Sequence, residues 1–150
     1  MNEVLIMDDN AYRDEIFQIL YIWGERSLDQ LQKYSKDDFF NILTKLDYYI
    51  NLGFIHVSKN DNSPESPIYH VLKDEIPHKV KNEVEKNIEK SIKNELYEIS
   101  SIYPTNIKKA FRSLSYLEEK WNLFKVSEIQ GYYIELKQKI NSKIKEEIKF

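Results

Sequence analysis

The chain has 150 residues, 41% of them hydrophobic, with 22 Lys and Arg against 25 Asp and Glu for a net charge of −3. That length carries one domain with an appendage and a real core, and that apolar share belongs to a folded chain rather than a disordered one. The absence of cysteine excludes disulfides and thiolate metal sites. The opening residues, MNEVLIMDDN, have no basic run and no long apolar run, so no signal peptide is expected. The most apolar stretch, IFQILYIWG, is far shorter than a bilayer span. A soluble, cytoplasmic protein is expected.

In chain order, Asn10 is expected to cap a helix running to about Trp23, with Ile16, Ile19, Leu20 and Trp23 at helical spacing and Gly24 as its stop. Ser27 caps a short helix carrying Leu28 and Leu31. Ser35, three residues before Asp38, gives a start like a capping box, with an acid in place of the usual Glu. Phe39, Ile42, Leu43, Leu46 and Ile50 then form one apolar stripe that Gly53 ends. Two β-prone runs follow, FIHV and IYHVL, separated by turn residues, and they read as a hairpin with a long tip.

Charge divides the chain in two. Met1 to Pro77 holds five Lys and two Arg against nine Asp and five Glu, a net −7; His78 to Phe150 holds fourteen Lys and one Arg against eleven Glu, a net +4. Proline suits the first turn of a helix, so a boundary is expected at Pro77, giving domains 1–77 and 78–150. In the second half, Val80, Val84, Ile88, Ile92, Leu96 and Ile99 form a stripe flanked by Lys and Glu. A helix that long exceeds what one small core requires, so this stripe, with Trp121, is expected to pair with another copy or to fold over a second helix, in the manner of a coiled coil. Pro104 breaks it, and Thr105 or Asn106 caps the next helix, with Ile107, Phe111, Leu114, Leu117, Trp121 and Phe124 in register. Ile129, Tyr133, Leu136, Ile140, Ile144 and Ile148 continue the pattern. Ser127 with Gln130 reads as a capping box between the two, unless the helix runs through.

The first half resembles the winged helix-turn-helix domains of bacterial and archaeal transcriptional regulators of the ArsR and MarR kind. Leu28, Leu31, Ile42, Leu46, Tyr49 and the LGFI from Leu52 to Ile55 carry the likeness, over roughly residues 10 to 75. The turn between the helices reads KYSKDD where the family holds a small residue and an apolar one, and Tyr49 stands where leucine is usual. The resemblance implies a mainly α fold: an N-terminal winged helix-turn-helix with a small β-hairpin wing, followed by long C-terminal helices that build a homodimer. It implies a DNA-binding transcriptional regulator, with double-stranded DNA as partner.

With the apolar stripe inward, the outer face of the third helix shows Asp37, Phe40, Asn41, Thr44, Tyr48 and Asn51, with Lys45 on its flank. Asn41 and Thr44 suit base edges. Lys45 and Tyr48 lie beside them, and Lys33, Lys36 and Lys59 are placed near phosphates. The half-chain at −7 argues the other way, because duplex affinity comes largely from cations. The alternative is a winged-helix adaptor that binds protein through its exposed aromatics, as in a plasmid or phage accessory protein.

His56, His70 and His78 form no ligand spacing, and they read as strand and surface histidines rather than a metal site. Trp23 and Trp121 read as core before effector pocket. The tail KQKINSKIKEEIKF can lie on an anionic membrane, but Glu146 and Glu147 dilute its charge and its spacing suits helix pairing equally. No Gly-rich phosphate loop, nucleophile motif or catalytic carboxylate cluster is present in the sequence, so neither an enzyme nor a cofactor is expected.

Overall fold

A computed structural model describes residues 14–148. They form a mainly helical protein with one small three-stranded antiparallel sheet and long C-terminal helices. The chain falls into two compact units, Met1–Ile88 and Glu89–Phe150. That division lies inside a helix, whereas the change in charge lies at Pro77.

In the first unit, α1 spans Glu15–Trp23 and is capped by Asp14, whose carboxylate accepts from the Ile16 amide. The expected cap, Asn10, lies outside the described residues. Gly24 stops α1 at φ 87°, donating to Leu20 O at 2.8 Å. Strand β1 (Glu25–Ser27) follows directly, a third strand that the hairpin expectation did not include. Ser27 then caps α2 (Leu28–Tyr34) in a full capping box closed by Gln30. Helix α3 (Phe39–Leu52) is capped by Asp38, not Ser35. Ser35 instead ends α2, and its hydroxyl accepts from the Asp37 amide. Gly53 closes α3 in the left-handed region, φ 83° and ψ 14°, where a side chain would be strained.

Strands β2 (Ile55–Ser58) and β3 (Ile68–Val71) form the expected hairpin. The sheet order is β1-β3-β2, with Arg26 opposite Tyr69 and Val57 opposite Tyr69 on its other side. The connection between β2 and β3 is tied to the start of α2. Ser66 Oγ accepts from Asp29 N at 2.8 Å, and Pro67 O accepts from Leu28 N at 2.9 Å. The first amides of α2, which a helix cannot satisfy internally, are therefore closed by this loop. Ile16, Phe17, Ile19 and Leu20 of α1, Leu31 of α2, and Ile42, Leu46 and Tyr49 of α3 are buried, as are Val80, Val84 and Ile88 at the start of α4 (His78–Ile102).

The second unit contains the rest of α4, then α5 (Ile107–Lys120) and α6 (Gln130–Ile148). Asn106 caps α5 through Lys109 N. The inward residues of α5 are Ile107, Ala110, Leu114 and Leu117. The expected Phe111 is 44% exposed and Phe124 is 82% exposed, while Ala110 and Leu123 are buried in their place. Two short 3-10 turns, Leu123–Lys125 and Ser127–Ile129, separate α5 from α6. Ser127 forms no cap. The Gln130 side chain instead donates back to the carbonyls of Leu123 and Val126, which breaks the run of helix.

The stripe assigned to pairing is already covered within one chain. Val80, Val84, Ile88, Ile92, Leu96 and Ile99 are 0–4% exposed, and Trp121 is 1% exposed. Helix α4 runs through both compact units. Among the described residues, no helix is long and apolar enough to cross a membrane.

Candidate functional site: the outer face of α3

Helix α3 buries Ile42, Leu46 and Tyr49 and turns its opposite side to solvent. Phe40, Thr44, Asp47, Tyr48 and Asn51 recur at helical spacing on that side and all are exposed, Phe40 at 78% and Tyr48 at 43%. Phe39 and Phe40 meet edge to face, with ring centroids 6.1 Å apart. Asn41 is exposed, and its side chain lies 3.4 Å from the capping carboxylate of Asp38. Thr44 is exposed, with its hydroxyl donating to Phe40 O at 2.9 Å.

Lys45 is the only cation within α3. Its ammonium lies 2.5 Å from Asp37 and 2.9 Å from Asp14. Burial pulls its pKa down, but the hydrogen bonds to Asp37 and Asp14 outweigh that and hold it above the ordinary lysine value. Asp14 also accepts a hydrogen bond from Tyr49, whose phenol is pushed well above its ordinary value by burial first and by Asp14 second. Phe17 packs against Tyr49 with centroids 5.0 Å apart. One carboxylate thus caps α1, fastens Lys45 and anchors the core phenol of α3.

The other cations assigned to phosphates lie off the helix. Lys33 is exposed on α2, 5.2 Å from the Tyr34 ring; Lys36 is exposed in the α2–α3 connection; Lys59 is exposed just beyond β2. The loop after Lys59 is drawn onto the body: Asn60 Nδ2 donates to Ser66 O at 3.0 Å, and Ser66 is buried. On the sheet, His56 and His70 stack 4.6 Å apart, and His70 meets Ser58 Oγ at 2.7 Å. Among the described residues, no group of three or more His, Asp or Glu side chains is placed to hold a metal ion.

Asp14, Ser66 and Glu95 take parts that the sequence reading did not assign. In the second unit, Glu95 accepts from Trp121 Nε1 at 2.9 Å and from Lys120, whose side chain is 4% exposed, at 3.2 Å. Only Glu95 left a trace in the sequence, as a carboxylate beside the apolar stripe at Ile92, Leu96 and Ile99. Asp14 and Lys45 are too far apart in the chain for any spacing rule to join them.

A comparison with protein-family models finds no match, and neither does a comparison with curated proteins.

Proposed function

We propose that the first unit is a winged helix-turn-helix module, with α2 and α3 as the helix pair and the β2–β3 hairpin as the wing, and that it docks a protein partner through the outer face of α3. Support for the module comes from the order α1-β1-α2-α3-β2-β3 with sheet order β1-β3-β2. One observation carries the docking reading: the single cation of α3 is engaged by Asp14 and Asp37, leaving Phe40 and Tyr48 outward beside Asp47. A helix entering a DNA groove lies between two rows of phosphates, and affinity there depends on free cations. An exposed aromatic pair rimmed by acids suits a protein surface, where aromatics serve as anchors.

The second reading is a DNA-binding dimeric transcriptional regulator. It is favoured by Asn41 and Thr44, both exposed on α3, with Lys33, Lys36 and Lys59 flanking. A homodimer belongs to this reading, and the Val80–Ile99 stripe assigned to it is 0–4% exposed within the single chain.

A photo-crosslinking amino acid at position 40, activated in cells, separates the two. The docking reading expects adducts with polypeptide, lost when the crosslinker is moved to the exposed position 90. Adducts with nucleic acid alone, together with a mobility shift on duplex DNA at low salt, would overturn it.

A further inference from the structure

The two units present complementary surfaces. The outer face of α3 is aromatic and acidic, with Phe40, Asp47 and Tyr48 exposed and the exposed Asp38 at its cap. Lys45 does not offset those carboxylates, because Asp14 and Asp37 hold it. In the second unit, α5 and α6 line an open groove of about 490 Å³, formed by Lys108, Phe111, Arg112, Ile144 and Glu147. Lys108, Phe111 and Arg112 stand within one turn of α5. Two cations face one carboxylate, and Phe111 is 44% exposed. Among the described residues, neither Lys108 nor Arg112 has an ion-pair partner.

We infer that this groove receives a second copy of the chain: the acidic aromatic face of α3 in one copy docks into the basic apolar groove of the second unit in another. The inference rests on the reading that α3 docks protein, and it names that protein. Phe40 supplies a ring to the apolar wall of Phe111 and Ile144. Asp38 and Asp47 supply the charge that Lys108 and Arg112 lack. The segregation of −7 and +4 into the two halves gives the same polarity at long range and steers unlike halves together. Such a contact is heterologous, so it closes as a pair or ring, or runs on as a chain of copies.

Sedimentation velocity of the full chain tests this, at low and at high salt across a micromolar concentration series. The expected result is self-association at low salt that weakens at high salt, as screening shortens the reach of the charges. Phe40→Glu alone, or Lys108→Glu with Arg112→Glu, is expected to weaken association by ~tenfold or more. All three positions are exposed, and circular dichroism checks that each variant is folded. Mixing the two variants provides the decisive arm. One retains the groove and the other retains the face, so the mixture forms a 1:1 complex that cannot extend further. A monomer at every concentration overturns the inference, and so does an oligomer that ignores both variants or a mixture that fails to associate. If the chain is monomeric while the crosslinker at position 40 captures a different polypeptide, the self-partner falls and the docking function stands. Capture of nucleic acid alone removes both.

Discussion

Lys45 Nζ lies 2.9 Å from Asp14 Oδ2, joining the third helix to the cap of the first across thirty residues of chain. The contact makes Lys45 a structural residue before it can be a binding one. Lys45→Ala leaves Asp14, whose side chain is 10% exposed, without its cation. It is expected to lower stability by about 1 kcal/mol, and Lys45→Glu by more, since three carboxylates then meet. Lys36→Ala, in the exposed connection, should stay within about 0.5 kcal/mol of the native chain. Urea melts of the three variants check this ordering. A loss of DNA binding in a Lys45 variant is informative only once its fold has been measured.

The second unit has a comparable contact at Glu95. Removing its carboxylate takes an acceptor from both Lys120, nearly fully buried, and the Trp121 indole N–H. Glu95→Ala is expected to cost about 2–3 kcal/mol, because an unpaired buried donor loses its water without a replacement. Adding Lys120→Met should recover part of that loss, since the buried ammonium that lost its Glu95 carboxylate goes with it. A thermal melt of the single and double variants gives the answer; a double variant less stable than Glu95→Ala would contradict the account.

The inward face of α5 is settled by two neighbouring positions. Ala110 is 0% exposed and Phe111 is 44% exposed. Ala110→Leu is expected to overpack the unit and cost about 1–3 kcal/mol, whereas Phe111→Ala should cost within about 1 kcal/mol. The apolar spacing of the sequence alone, which puts Phe111 inward, predicts the reverse order. Denaturant midpoints of the two variants decide between them.

Stability should decline at alkaline pH. Burial raises the pKa of Tyr21, Tyr49, Tyr69 and Tyr133 above the ordinary 10.0, with Glu85 reinforcing it at Tyr21 and Glu118 at Tyr133. Lys45 is held protonated by Asp37 and Asp14 and Lys137 by Glu118, so both are raised as well. For every one of these groups the unfolded chain releases its proton first, so unfolding gains as pH rises. The melting temperature is therefore expected to change little from neutral pH to about 9 and to fall beyond about 10. Tyrosinate absorbance should show a late-titrating class that appears only with unfolding. Tyr21→Phe, which removes the 2.5 Å bond to Glu85, should flatten part of the fall.

Much of the helical architecture could be read from the residues alone. Gly24, Ser27, Gly53 and Asn106 act on amides and carbonyls within four positions of themselves, so the chain states these helix ends locally. The stripe from Val80 to Ile99 likewise announces a buried helix face, because burial follows the 3.6-residue repeat. What covers that face was not legible, for periodicity names the side that is buried and not its neighbour. Only the tertiary structure decided that the same chain covers it. The same holds for β1, three residues with no apolar alternation, which exist as a strand because β3 lies beside them. It holds for the loop whose Ser66 and Pro67 close the first amides of α2. Above all it holds for Lys45: Asp37 lies just before its helix, but Asp14 at the cap of α1 joins the cluster only when α1 and α3 pack, and that packing decides which charges are left to meet a partner.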